Sequence, residues 1–425
     1  MGSSACIARE WESRLAARRP IEKILHHFLR QRRHTGNYPR DILAPVSQTP
    51  PAARTESAPP PRARVPELDG LRGIAILLVL VFHFRPTAGP LRFLNSTFAT
   101  GWIGVDLFFV LSGYLITGIL LDSVGRPHYY RNFIARRSLR IFPLYYGCLL
   151  LYGVLRYLPN AIQWKDYLVT CDAWWYVGYL GNLQMFLQNR WPGAPMLTPL
   201  WSLQVEEQFY LTFPLLVWAV KRSTLARVLA GCVIAAPLLR IGLALAMPAN
   251  AMGPYALTPC RMDALAMGGL VAVAARKSPG WLKGRWIGWM TALAAAAFLL
   301  VCIFTSDTPW STPWSIPMRT VGYSALDIAL TGVLVMLVGW RQPHLLKACR
   351  VKFLMWLGTI SYGLYMLHIP ALDISRRWVV PLLRIEPSGS AEFFVKLVLA
   401  IAMAWISWTI FEAPILRLKG RFTTR

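Results

Sequence analysis

Long apolar runs alternate with short polar connections along the chain from residue 68 onward. A run of roughly 20 apolar residues can cross a bilayer as a helix, which satisfies its own backbone hydrogen bonds inside lipid. We therefore predict an all-α integral membrane protein, a bundle of about ten transmembrane helices around a polar cavity. The predicted spans are 70–86, 102–121, 139–158, 202–220, 225–246, 262–276, 286–304, 319–339, 353–371 and 393–412.

One apolar run between these spans, residues 174–187, is ambiguous. It is almost long enough to cross a bilayer, and counting it as a crossing would reverse the orientation of every later helix. We interpret it as an extracytoplasmic or re-entrant segment.

The chain before the first span has a different composition. Residues 1–66 carry twelve Lys or Arg against five Asp or Glu, and no apolar core typical of a cleavable signal peptide is visible. Apolar residues within 21–29 recur at helical spacing beside arginines, which favours a basic amphipathic helix on anionic lipid, although a partner-binding helix and disorder are alternatives. We divide the chain into a basic, Pro-rich cytoplasmic tail (1–66), a transmembrane domain (67–416) and a short basic tail (417–425).

Composition and charge support a membrane protein. The chain is 55% hydrophobic and only 15% charged, with a net charge of +25. Because Lys and Arg concentrate in alternate connections, they indicate cytoplasmic loops and not a nucleic-acid partner. We predict a multi-pass protein of the cell (inner) membrane with both termini cytoplasmic. Arg376, Arg377 and Arg384 fall on the outer side, as a tolerated exception or as a binding feature.

Ionisable residues within the spans predict an internal polar chamber. Burying each without a partner would cost several kcal/mol, so they must face one another or a wet cavity. Opposite charges in different helices, such as Arg240 and Asp327, are expected to neutralise each other. The full set comprises Arg72, His83, Asp106, Glu206, Glu207, Arg240, Asp263, Asp327 and His368.

The order of the polar motifs resembles the acyltransferase-3 family of membrane proteins, from about residue 66 to 415. The resemblance rests on six blocks taken together, since each alone is a weak signal. They are Asp69-Gly70-Leu71-Arg72-Gly73 with His83 ten residues later, Gly104 to Tyr114, Arg136 to Tyr145, Trp201 to Tyr210, Ser361 to His368, and Phe411-Glu412-Ala413-Pro414. The family moves acyl groups from cytoplasmic acyl-coenzyme A to sugars or other hydroxyl acceptors.

The resemblance places a functional histidine at His83, and the chemistry agrees. Acyl transfer to a hydroxyl needs a base of near-neutral pKa. Glu206 is the predicted carboxylate partner of its imidazole, with Glu207 and Asp106 behind it. The alternative for His83 is a histidine hydrogen-bonded at a helix interface. Arg72 lies eleven positions earlier, about 16 Å along a helix, so the two side chains act at different depths.

The donor implied by the resemblance is acyl-coenzyme A, with acetyl-coenzyme A as the family default. Arg136, Arg137 and Arg140 cluster at the predicted start of the third span, where a helix N-terminus with arginines suits phosphate groups. Arg72 would help to lead the thioester toward His83. The alternative, that these arginines only fix topology, is strongest for Arg136.

Further residues are predicted to line the substrate cavity or to serve packing. Ser112 and Gly113 are interpreted as helix-packing residues because no nucleophile elbow surrounds them. The seven cysteines have no metal-ligand spacing, and we predict no metal; a disulfide between Cys171 and Cys260 is conceivable, but two free thiols are expected. The cavity residues are Trp201, Ser202, Tyr210, Asp263 and His368.

We therefore expect a membrane O-acyltransferase that acts on a carbohydrate, glycolipid or small-molecule hydroxyl. Direct transfer and relay through an acyl-enzyme both fit. Since the chain ends about a dozen residues after its last span, it is expected to act alone or with a separate soluble esterase-like partner, besides membrane lipid. The alternatives are a transporter or flippase that uses the same charged residues, and a basic scaffold that binds nucleic acid or lipid through its N-terminal tail.

Overall fold

A computed structural model describes residues 65–155, 173–277, 280, 282, 284–305 and 315–422, and these residues form helices without any β-strand. Residues 1–64 of the predicted N-terminal tail and Cys171 lie outside the described residues, and α1 begins at Pro66, the last residue of that predicted tail. The long helices follow the apolar runs of the sequence, because only a helix or a closed barrel pairs every backbone group within lipid. They are α1 Pro66–Phe84, α2 Ile103–Ser123, α3 Tyr129–Leu155, α4 Leu200–Ala219, α5 Arg222–Ala246, α6 Thr258–Lys277, α7 Trp286–Thr305, α8 Tyr323–Val335, α9 Lys352–Thr359, α10 Ser361–Ile374 and α11 Ser390–Ser407.

The all-helical membrane fold is confirmed. Six of the described helical segments are long and apolar enough to cross a membrane: Pro90–Ser123, Arg222–Ala246, Met252–Lys277, Trp286–Phe304, Met318–Trp340 and Ser390–Phe422. Within the described residues, the other four predicted spans are also largely helical, and they carry charged side chains or, between α9 and α10, a break at Ile360. These four contain most of the predicted site residues.

The ambiguous run 174–187 does not form a continuous helix. It is divided into two short helices, Ala173–Val177 and Gly181–Gln188, separated at Tyr179, which has a left-handed φ of 55°. Eight helical residues extend only about 12 Å, which is too short to cross a bilayer. The interpretation of this run as a non-spanning segment therefore agrees with the structure.

Close helix contacts at glycines hold the centre of the bundle together. A Cβ at Gly113 of α2 would overlap the carbonyl oxygen of Leu265 on α6, and a Cβ at Gly268 of α6 would overlap the carbonyl oxygen of Val110. Gly73 of α1 approaches α9 in the same way. Small residues at helix interfaces allow such backbone approach in membranes, as we predicted for the Ser112–Gly113 step. These contacts pack α2 against α6 and α1 against α9, and α1 and α2 line the site described next.

The structure also shows the surroundings of two arginines and one cysteine that the sequence analysis singled out. Arg376 pairs with Glu392 at 3.2 Å, and Arg377 pairs with Asp373 at 3.7 Å. These two arginines therefore have acidic partners within the chain. Cys260 is a buried free thiol, as expected.

Candidate active site

A cavity of about 210 Å³ lies between α1, α2, α3, α4 and α10. Three polar side chains of α4 reach it, and their spacing of four residues places them on one helical face: these are Ser202, Glu206 and Tyr210. Apolar residues of α2, including Phe108 and Leu115, form much of the remaining wall. Six of the predicted site residues line this cavity, namely Arg72, Arg137, Arg140, Ser202, Glu206 and Tyr210. We call it the main cavity.

No hydrogen bond or ion pair joins the arginines of the main cavity to a carboxylate among the described residues. Within the described part of the chain, Arg72, Arg137 and Arg140 make no hydrogen bond or ion pair to a side chain. Arg137 is instead held over the rings of Phe133 and Tyr210, with its guanidinium carbon 5.7 Å from each centroid. An array of unpaired guanidinium groups is suited to a ligand that carries several negative charges.

The predicted anion site at a helix N-terminus is wrong in its geometry. The helix α3 begins at Tyr129, so Arg136, Arg137 and Arg140 lie in its second to fourth turns and not at its first backbone N–H groups. The arginines can therefore bind an anion only through their side chains. Arg136 does not line the main cavity; it lines a neighbouring cavity of about 200 Å³ together with Arg137 and Lys419.

Glu206 is part of a hydrogen-bonded cluster in the main cavity. Its carboxylate accepts hydrogen bonds from the hydroxyl of Ser112 and, at 3.0 Å, from the hydroxyl of Tyr210. It also lies close enough to Arg72 and Arg137 to attract both. Ser112 thus has a polar contact besides its packing role, which the sequence analysis did not predict.

His83 and His368 lie against each other, with ring centroids 4.7 Å apart and an edge-to-face arrangement. The Nδ1 atom of His83 is 2.9 Å from the carbonyl oxygen of Val79, and that of His368 is 2.7 Å from the carbonyl oxygen of Tyr365. Because a carbonyl oxygen only accepts, each Nδ1 carries a proton, and in the neutral form of the ring the lone pair is then on Nε2. The Nε2 atom of His368 is buried without a hydrogen-bond partner in the described structure.

The prediction that Glu206 holds the imidazole of His83 is therefore wrong. The carboxylate is engaged by Ser112 and Tyr210, and the backbone carbonyl of Val79 orients the ring instead. Neither Asp106 nor Glu207 replaces it: Asp106 pairs with Arg261, and Glu207 is buried but lines neither cavity. The carbonyl of Val79, one helical turn before His83, can hold the imidazole in one tautomer as a carboxylate would. The pattern of apolar and polar residues in the sequence does not show which of the two acceptors the histidine uses.

Two of the remaining predicted polar residues, Arg240 and Asp263, form a buried ion pair. Arg240 binds Asp263 with its two terminal nitrogens at 3.2 and 2.8 Å, and Ser324 donates to the same carboxylate. The predicted Arg240 and Asp327 pair is therefore wrong, since Asp327 is buried and makes no hydrogen bond in the described structure. Asp263 accordingly lies in a structural pair and not in the main cavity.

Trp201 and His368 also lie outside the lining of the main cavity. Trp201 packs in an apolar cluster, with its ring 4.5 Å from that of Tyr255 and 6.0 Å from that of Phe109. The prediction that these two residues line the cavity is wrong for this conformation. His368 is nevertheless close to it, because its ring lies 5.7 Å from that of Tyr365, which does line the cavity.

Tyr365 connects the cavity to the histidines and was missed by the sequence analysis. Its hydroxyl contacts the Ser202 hydroxyl at 2.6 Å and donates to the carbonyl of Pro199 at 2.8 Å. Tyr365 and His368 are three residues apart on α10, so they share a helical face. That spacing within the Ser361 to His368 block was the available signal.

Among the described residues, no group of His, Cys, Asp or Glu side chains has the arrangement of a metal site.

The fold and the site together define a multi-pass membrane protein that encloses a basic cavity beside two histidines. The family model described as an acyltransferase domain matches residues 65–411. The chain therefore belongs to this acyltransferase family, and the resemblance found in the sequence motifs is confirmed.

Three relatives show how far the similarity extends. The chain is 28% identical to YrhL of Bacillus subtilis (strain 168) over 377 residues, which cover 83% of this chain and 55% of YrhL. It is 28% identical to the peptidoglycan O-acetyltransferase OatA of Listeria monocytogenes (83% and 56% of the two chains) and 27% identical to the O-acetyltransferase OatA of Staphylococcus aureus (84% and 58%). The chain thus spans just over half the length of these relatives. No solved structure matches it.

Proposed function

We propose that this chain is a membrane O-acyltransferase that takes an acyl group from acyl-coenzyme A and transfers it to a hydroxyl of a carbohydrate acceptor. The observation that carries the proposal is the set of arginines in the main cavity without an ion-pair partner among the described residues, Arg72, Arg137 and Arg140, next to two histidines. A polyanionic donor would supply the missing negative charge, and a histidine base would serve its chemistry.

In this proposal, the successive parts of acyl-coenzyme A bind at successive positions along the main cavity. Phosphate groups would bind the arginines, and the neutral pantetheine arm would follow the apolar wall that includes Phe108 and Leu115. The thioester would then reach the far end at Ser202 and Tyr365, next to His368 and His83. Acetyl-coenzyme A is the form of the donor that we propose.

His83 is proposed as the general base. Its Nε2 lone pair would take the proton of the acceptor hydroxyl as that oxygen attacks the thioester carbonyl carbon. The carbon–sulfur bond then breaks, and the imidazolium returns the proton to the departing coenzyme A thiolate, so that an ester and a free thiol are formed. The Val79 carbonyl holds the required tautomer. Direct transfer is the simplest scheme that this geometry supports.

Glu206 has a different role in this proposal from the one expected for it. It would hold the hydroxyls of Ser112 and Tyr210 and partly balance Arg72 and Arg137 while no donor is bound. When phosphate groups enter, those arginines would turn toward the ligand. Asp106 and Asp263 are assigned to stabilising ion pairs instead of catalysis.

The acceptor is proposed from the relatives. The Listeria relative is named a peptidoglycan O-acetyltransferase and the Staphylococcus relative an O-acetyltransferase. We infer a glycan hydroxyl of the peptidoglycan type, reached from the outer side of the cell membrane, with both ends of the chain in the cytoplasm. We propose that a separate soluble esterase-like partner takes part in the transfer to the glycan.

Purified protein in proteoliposomes tests the proposal. Acetyl-labelled coenzyme A is supplied with peptidoglycan fragments, and base-labile acetyl esters on the glycan are measured by mass spectrometry, with empty liposomes as the control. Ester formed by the protein alone supports the full proposal; ester formed only after a soluble cell-envelope fraction is added supports the donor half and assigns the last step to a partner. Uptake of label without any ester would overturn the proposal and favour a transporter.

A further inference from the structure

A second cavity of about 200 Å³ adjoins the main cavity at the basic end of the bundle. Ile119 and Arg137 line both cavities, so the two meet at these side chains. The polar lining of the second cavity includes Asn132, Arg136 and Lys419, and none of its described lining residues is acidic. We call it the outer cavity.

The outer cavity concentrates positive charge without compensation. Arg136, Arg137 and Lys419 have no ion-pair partner within the described residues, and the Nε atom of Arg136 is buried without a hydrogen-bond partner. The Lys419 ammonium is repelled by Arg136, Arg137, Arg140 and, more weakly, Arg72. Like charges held this close destabilise the protein unless an anion is shared among them. The arrangement thus favours a ligand with a concentrated negative charge.

The order of groups in coenzyme A indicates which part would reach this cavity. The acyl group is followed by pantetheine, the pyrophosphate, and finally the ribose with its 3′-phosphate and adenine. If the acyl end lies at Ser202 and Tyr365, the pyrophosphate meets the arginines of the main cavity, Arg72 and Arg140. The nucleotide end must then continue past Arg137 into the outer cavity.

We propose that the outer cavity binds the 3′-phosphate of the donor nucleotide and that Lys419 is its specificity-determining residue. This inference rests on the proposed donor. Lys419 lies in the 3-10 helix Leu418–Phe422, which packs on α3 beside Arg136. The end of the last helical segment, Ser390–Phe422, therefore completes the donor site.

Donor analogues with and without the 3′-phosphate test this inference directly. Binding of coenzyme A and dephospho-coenzyme A is measured by calorimetry for the full chain in nanodiscs of neutral lipid. We expect the wild type to bind coenzyme A about tenfold more tightly than dephospho-coenzyme A, because one charge-assisted contact contributes about that much to the affinity. Lys419→Ala should weaken coenzyme A about tenfold and change dephospho-coenzyme A less than about twofold.

Two variants serve as controls. Arg421→Ala removes one cation from the same short helix, but Arg421 is exposed and lines neither cavity, so it should retain the preference. Lys419→Arg should retain most of it, because the charge remains. Equal weakening of both analogues by Lys419→Ala, or equal effects of Lys419→Ala and Arg421→Ala, would overturn the inference.

Other outcomes separate this inference from the proposed function. If the wild type binds neither analogue, the donor itself is wrong and both proposals fall. If both analogues bind equally well to the wild type, the donor stands and only the 3′-phosphate site is refuted. If Lys419→Ala leaves the preference unchanged but lowers the affinity of the protein for anionic lipid, the outer cavity takes a phospholipid headgroup and the inference is wrong.

Discussion

Replacing Arg137 by alanine removes the one cation that lines both cavities. The guanidinium group has no ion-pair partner in the described structure, and its packing rests on the rings of Phe133 and Tyr210 at 5.7 Å. Two such contacts at a partly exposed site contribute about 1–2 kcal/mol together, so the variant should fold. A charge-assisted contact to phosphate contributes about 1.5–3 kcal/mol.

That free energy corresponds to a loss of coenzyme A affinity of about 10- to 150-fold. Calorimetric titration of coenzyme A at fixed ionic strength measures it, since salt screens such contacts. Arg131→Ala is the matched control, because this exposed arginine lies on the same helix and lines neither cavity. An affinity of folded Arg137→Ala within about twofold of the wild type would refute a phosphate role for this side chain.

Three further predictions concern packing, ion pairing and the end of the main cavity. Gly113→Val should lower the thermal unfolding midpoint in detergent, because overpacking costs about 1–3 kcal/mol or more of stability. Gly147→Ala is the control and should leave the midpoint unchanged, because no atom lies within 4 Å of its new Cβ. Asp263→Asn leaves Arg240 charged and buried, so it should cost about 3–5 kcal/mol in unfolding assays, and replacing both residues with apolar ones should restore much of the loss. Tyr365→Phe should leave coenzyme A affinity within about twofold but lower the rate of acyl transfer, because the hydroxyl at the end of the cavity is lost; an equal loss of affinity would contradict this.

The helices could be predicted from hydropathy because lipid forces apolar runs to pair their backbone internally. The start of α3 could not, since it begins at Tyr129, well before the predicted span. Where a helix extends beyond the membrane into polar surroundings, its residues need not be apolar, so hydropathy does not reveal that part of the helix. Hydropathy therefore located the arginines correctly at one end of the bundle but placed them at a helix terminus that the structure does not have.

Which polar side chains contact each other was harder to predict than which polar residues belong to the site. Ser202, Glu206 and Tyr210 were each predicted as site residues, and they line one cavity because their spacing of four places them on one helical face. Contacts between helices depend on rotation and register, which a single sequence does not determine. For that reason His83 was assigned to Glu206, whereas the structure places it against His368.

The central claim is that His83 is the base for acyl transfer, and the most direct test compares transfer with donor binding in one variant. His83→Ala should bind coenzyme A within about twofold of the wild type but lower acetyl-ester formation by about 10²- to 10⁴-fold, the contribution expected of a general base. His344→Ala, which changes an exposed histidine in a short connecting helix, should leave both unchanged. Folded His83→Ala that transfers acetyl groups at a rate within a few fold of the wild type would contradict the account.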